Sequence, residues 1–204
     1  MRHLLLIKDR KGVTLIELLI VLAIIGILSA IGIPEYGRFI AKSRVRQAAN
    51  DLLQNMRLAR TMAIKENRAY LLTFNYPANN YMIGFDGDSN GALFDATDGY
   101  GSGAVRTIDI QTGYGQNIIL GSGSFTIVPP NGPNGTDITI NAMTFQFDPD
   151  GSASPNGRIY MQHNGADRGY SFCVELANAS GMINLFMWDG DADNTLEAGW
   201  TELR

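Results

Sequence analysis

The chain has 204 residues, of which 45% are hydrophobic and 18% charged, with a formal net charge of -4. That length holds one ordinary globular domain besides a separate apolar segment. A single cysteine, Cys173, excludes an internal disulfide, and the acidic balance speaks against a nucleic-acid binder, which needs clustered Lys and Arg to displace counterions.

The first predicted element is apolar. From Val13 to Ile33 the only charged side chain is Glu17, and at about 1.5 Å per residue the run reaches roughly 30 Å, enough to span a bilayer. A cleaved secretory signal would be shorter and would end in a small-residue site, whereas Pro34, Glu35 and Tyr36 follow here. Basic residues lie on both sides, Arg2, Lys8, Arg10 and Lys11 before and Arg38, Lys42, Arg44 and Arg46 after, so charge counting does not orient the span. A carboxylate within such a run costs several kcal/mol unless paired, and Glu17 is therefore a functional candidate. Its plainer reading is a side chain one turn in that snorkels to the interface. Pro34 removes a backbone donor and predicts a kink nearby.

Lys11-Gly12 followed by Val13-Thr14-Leu15-Ile16-Glu17 and the apolar run to Leu28 resembles the N-terminal signature of type IV pilins and type II secretion pseudopilins. The resemblance implies that a prepilin peptidase cuts after Gly12, that the new N-terminus at Val13 is methylated, and that Glu17 serves filament assembly. In a filament the apolar helices bundle, and the buried carboxylate would pair with a neighbouring subunit's N-terminal ammonium, fixing register. The family usually carries phenylalanine where Val13 stands, a departure tolerated in pseudopilins and minor pilins. Pro34 sits where pilin helices commonly bend or melt.

Beyond Pro34 a second helical pattern runs to about Asn67. Val45, Ala49, Leu52, Met56, Ala59 and Ala63 recur at alternating spacings of four and three, an apolar stripe suited to docking on the chain's own sheet. The stretch "LARTMAIKENRAYLLTF", Leu58 to Phe74, resembles the helix-to-strand junction of the GspH/FimT subfamily, with Met62 where that subfamily usually has glutamate.

From Ala69 the texture changes to short strand-like runs: Ala69 to Phe74, Tyr81 to Phe85, Val105 to Ile110, Asn117 to Leu120, Phe125 to Val128, Ile138 to Ile140, Met143 to Phe147, Arg158 to Gln162, Tyr170 to Leu176 and Met182 to Trp188. Asn-Gly or Asp-Gly pairs at Asn90, Asn131, Asn134, Asp150 and Asn156 mark turns. In "YSFCVEL" strict alternation predicts a half-buried strand that leaves Cys173 on the polar side, partly exposed. His163 falls in an expected solvated turn, "HNGAD".

Two acidic stretches are candidate calcium loops. Asp86, Asp88 and Asn90 alternate with Gly91 next, as in the first half of a calcium loop, and Asp95 or Asp98 would complete the shell, although the twelfth position is Thr97. A polar hairpin loop is the plainer reading. Asp189, Asp191 and Asp193 form a weaker match, with Asn194 where glycine is expected.

Charge is divided unevenly. Residues 35–68 carry eight basic and three acidic side chains, and residues 69–204 four basic and fifteen acidic. An acidic head of this kind does not fit DNA uptake. The lone post-leader histidine and the lack of a Gly-x-Ser-x-Gly elbow or a phosphate-binding loop give no basis for an enzyme.

The expected fold is therefore α+β and pilin-like: a long N-terminal helix, membrane-spanning in its first half, packed on a mostly antiparallel β head. The expected division is a leader at 1–12, a membrane and assembly helix at 13–33, an amphipathic continuation at 34–68 and a β-rich periplasmic head at 69–204. The expected role is a minor pseudopilin of a type II secretion system, anchored in the inner membrane. Its expected partners are other pilins or pseudopilins, a prepilin peptidase and an inner-membrane assembly platform. The alternative is a minor type IV pilin, FimT-like, for pilus biogenesis or DNA uptake.

Overall fold

The computed structural model describes residues 12–85, 103–121, 144–163, 171–188 and 200–203. One helix, α1 (Leu15–Glu66, 52 residues), precedes the strands and carries on through Pro34, so the missing proline donor removes a rung without ending the helix. The chain divides into two compact units between Phe39 and Ile40. The second unit is the head together with the part of α1 that packs on it.

The apolar stripe read from the sequence is that packed face: Val45, Ala49, Leu52, Met56, Ala59 and Ala63 are all fully buried. The alanines let the helix lie close to its partners, while Val45, Leu52 and Met56 each contribute roughly 1.5–3 kcal/mol by leaving water. Asn67 at φ 52° and the bond from the Arg68 N–H to the Ala63 carbonyl, 3.3 Å, end α1 in a Schellman turn. Asn tolerates the left-handed region there because its short polar side chain limits the steric cost.

Ten strands follow among the described residues, and every pairing is antiparallel. They are β1 (Tyr70–Asn75), β2 (Asn80–Phe85), β3 (Gly103–Asp109), β4 (Ile118–Leu120), β5 (Thr144–Phe147), β6 (Ala153–Ser154), β7 (Gly157–His163), β8 (Ser171–Leu176), β9 (Ile183–Trp188) and β10 (Trp200–Leu203), with a short helix α2 (Ile110–Tyr114) between β3 and β4. One sheet has the order β3-β2-β1-β5-β6 and the other β10-β9-β8-β7-β4. Phe74, Tyr81, Phe145 and Phe147 of the first join Ile159, Met161, Phe172 and Val174 of the second and the α1 stripe in one core. The architecture is α+β, as expected from the sequence.

Several expectations are corrected. Ile110 opens α2 instead of closing β3, because the Asp109 carboxylate accepts the Thr112 N–H at 2.8 Å and caps a helix there. Cys173 is fully buried, and every other residue of β8 is buried as well. The alternation remains, but β8 is the central strand of its sheet, and its second face carries Tyr160, Glu175 and Trp188, all buried. Glu175 on that face is held by Arg158, whose Nε donates to Oε1 at 2.8 Å. His163 ends β7, half-buried, and is not a loop residue. The strands β6 and β10 were not anticipated, and the expected runs at 125–128 and 138–140 lie outside the described residues.

The sheets are stitched together by polar groups. Asn79, buried at φ 53° in the β1–β2 turn, donates from Nδ2 to the Ile118 carbonyl at 2.7 Å and accepts the Leu120 N–H on Oδ1 at 2.6 Å. At the carboxyl end of α1, Arg60 donates from Nε to the Gly151 carbonyl at 2.9 Å and from Nη2 to the Ser180 carbonyl at 2.8 Å. The Ala153 N–H meets the Ala179 carbonyl beside it at 2.9 Å.

His163 gives the head a pH dependence. Burial, with the Arg44 guanidinium second, holds its imidazole below the ordinary value, and Nδ1 is buried without a hydrogen-bond partner among the described residues. The unfolded chain therefore binds more protons just below the ordinary pKa of about 6.5. This contribution to stability is fully present above that pH and is lost as pH falls toward the folded value. We expect the melting temperature to fall between pH 7 and pH 5.5 in the native chain and to fall less in His163→Gln. Equal slopes in thermal melts would assign the acid sensitivity to other groups.

Candidate functional site

The first unit contains the expected processing and assembly residues. Gly12, Val13 and Thr14 precede the helix and are exposed. Thr14 caps α1, and Glu17 answers it. The Thr14 N–H and hydroxyl donate to Glu17 Oε2 at 2.8 and 2.9 Å, and the Glu17 N–H donates to the Thr14 hydroxyl at 3.3 Å. This reciprocal pattern is a capping box, which satisfies N–H groups that the first helical turn otherwise leaves without partners. Sequence reasoning passed over it, although Thr-x-x-Glu before an apolar run is its signature.

Glu17 is thus neither idle nor used up. Both Thr14 bonds fall on Oε2, and Oε1 accepts no hydrogen bond among the described residues. One oxygen is fixed by the helix end, and the other, on an exposed side chain, is left available to a cation. Cutting before Val13 would leave Thr14 with a peptide N–H, so the cap would persist in a shortened chain.

Behind this end lies an uncovered apolar surface. No residue from Leu15 to Ile33 is buried, and the helix is long and apolar enough to cross a membrane by length and composition. In water such a surface, at about 25 cal/mol per Å², would be strongly unfavourable. A bilayer or a bundle of like helices removes that cost. After Pro34 polarity resumes with the exposed pair Glu35 and Arg38, 3.1 Å apart.

The candidate calcium residues Asp86, Asp88, Asn90, Asp95 and Asp98, and Asp189, Asp191 and Asp193, lie outside the described residues. Cys173 lies far from any reactive role: burial pushes its thiol well above the ordinary range, so the nucleophilic thiolate is disfavoured.

Known proteins share both parts of the chain. Residues 48–180 match the family described as type II transport protein GspH, and residues 7–33 match the prokaryotic N-terminal methylation motif. The chain is 36% identical over 106 residues to a fimbrial protein of Pseudomonas aeruginosa, a match covering 52% of this chain and 64% of that protein. It is 34% identical over 96 residues to a type IV major fimbrial protein FimA of Dichelobacter nodosus, covering 47% of this chain and 59% of FimA. The chain thus spans less than two thirds of the length of these relatives. Among solved structures it is similar to the minor pseudopilin EpsH from the type 2 secretion system of Vibrio cholerae, at 10% identity and a TM-score of 0.46 over 71% of this chain and 97% of that one. It is also similar to the type IV minor pilin FimU of Pseudomonas aeruginosa, at 14% identity and a TM-score of 0.46 over 79% and 98% of the two chains. The family match extends over well more than half of the sequence, and with it the chain belongs to the type II transport protein GspH family, whose members are structural pilin-like subunits and not enzymes.

Proposed function

We propose that this chain is a minor structural subunit, a pseudopilin, of a type II secretion pseudopilus. In this reading a prepilin peptidase cuts after Gly12 and methylates Val13. Residues 13–33 then hold the subunit in the inner membrane with residues 69–204 in the periplasm, and 34–68 join the two. An inner-membrane assembly platform draws the helix out among those of other pilins or pseudopilins, where the Glu17 carboxylate meets a neighbour's N-terminal ammonium.

The observation that carries the proposal is the wholly uncovered apolar stretch of α1 with a carboxylate one turn in. A helix designed only for a soluble head has no use for either feature. The alternative machine, a type IV pilus, is favoured by relatives named fimbrial proteins. Deleting the gene separates the two: lost protein secretion with normal surface filaments fits the pseudopilus, and the converse fits the pilus.

Processing is tested directly. Gly12→Asp should leave essentially all of the chain uncut in the membrane, since the cut is expected to need a residue without a side chain. Mass spectrometry of the native chain should find an N-terminus at methylated Val13. A mature N-terminus beyond Val21 would overturn the proposal.

A further inference from the structure

The carboxyl end of α1 bears surface that the fold does not use. The guanidinium of Arg60 lies close against the turn between β8 and β9, and Gly181, at φ 73°, makes this possible: a Cβ there would lie 2.7 Å from Arg60 Nε. Pinning that turn against the helix leaves an open groove of about 350 Å³ between α1 and the start of β9, walled by Arg57, Thr61 and Ile64 on one side and Met182 and Ile183 on the other.

Two features of the groove point to a ligand. Ile64 and Met182 are each 51% exposed although apolar, and neither belongs to the core. Among the described residues the cations beside them meet no carboxylate: Arg60 spends its hydrogen bonds on two neutral carbonyls, and Arg57 forms no ion pair. Such a site suits a segment that presents a carboxylate next to an apolar side chain, with the guanidinium fork taking the carboxylate and the apolar pair covering the rest.

The chain itself supplies that chemistry. Residues 69–204 hold fifteen acidic and four basic side chains, while residues 35–68, which form the groove's helical wall, hold eight basic and three acidic ones. Two copies are therefore complementary head to helix, an arrangement that is heterologous and need not close on itself. We propose that this groove docks the acidic head of a second copy of the chain. The contact is separate from the Glu17 pairing and uses other residues of α1. Being charge-guided and partly exposed, it weakens as salt screens it.

The test uses the full chain in detergent micelles with the photo-reactive amino acid p-benzoylphenylalanine at Ile64. Irradiation should give a covalent dimer whose joined peptide lies within residues 69–204. The yield should fall at least about fivefold at molar salt and likewise in Arg57→Glu, and survive in Arg57→Lys. The Arg57 guanidinium makes no hydrogen bond or ion pair among the described residues, so an unchanged melting temperature in Arg57→Glu keeps the comparison valid. The same reagent at Gln47, exposed and about 25 Å earlier on the helix, should not give that joined peptide. Equal yields at both positions, insensitivity to salt and to Arg57→Glu, or joining only to a different protein in cells would each overturn the proposal. Glu17→Ala should leave the cross-link intact, so failure of the assembly reading and failure of this one are distinguishable.

Discussion

Glu17→Ala is expected to be cut and inserted normally yet to enter filaments about a hundredfold less well or worse. Leaving the neighbour's ammonium buried and unpaired costs about 3–5 kcal/mol, and each 1.4 kcal/mol is a factor of ten. The capping box supplies a competing explanation, because alanine also removes the bonds to Thr14. Loss of a cap costs only about 1 kcal/mol. Two further variants separate the effects. Glu17→Gln keeps a side chain that serves at this capping position but carries no charge, so it should fail as badly as alanine. Thr14→Val removes the hydroxyl but keeps the carboxylate, and should assemble within a few-fold of the native chain. Filament incorporation measured for the three variants decides the matter. A functional Glu17→Gln would reduce Glu17 to a helix cap.

The second large effect belongs to the head. Asn79→Ala should destabilise it by about 3–4 kcal/mol, because the Leu120 N–H and Ile118 carbonyl both lose buried partners and alanine must hold a positive φ. For a chain of this size that is a fall in melting temperature of roughly 6–15 °C. Asn79→Gly relieves the backbone but not the lost bonds, so it should fall between the two. Each variant is read by thermal unfolding. A loss below about 1 kcal/mol for alanine would mean that the two sheets are held together by their apolar core alone.

Sequence patterns were reliable where one local rule acted alone. The stripe from Val45 to Ala63 was readable because helical period and side-chain type agree, and every member is buried. The strand cores were readable for the same reason, within a residue or two at their ends. Ile110 was misread because a β-branched residue next to a strand looks like its last member, while the Asp109 cap that outweighs this is a contact with Thr112. The two-residue β6 and the segment from Trp200 to Leu203 are too short to show a period, and they become strands by pairing with β5 and β9.

By itself the sequence determined a 21-residue apolar run with one carboxylate, a one-faced helix after it, and an acidic, strand-rich remainder. These follow from side-chain chemistry and period, which do not depend on distant residues. Only the tertiary structure decided the rest. It buried Cys173 by giving β8 neighbours on both edges and a second packed face. It turned Arg60 from one more surface cation into a clamp on carbonyls 91 and 120 residues away in sequence. It also made Asn79 a bridge between sheets. Burial and hydrogen bonding of this kind depend on which segments meet, and that is set by long-range pairing and the shared core, not by any local pattern.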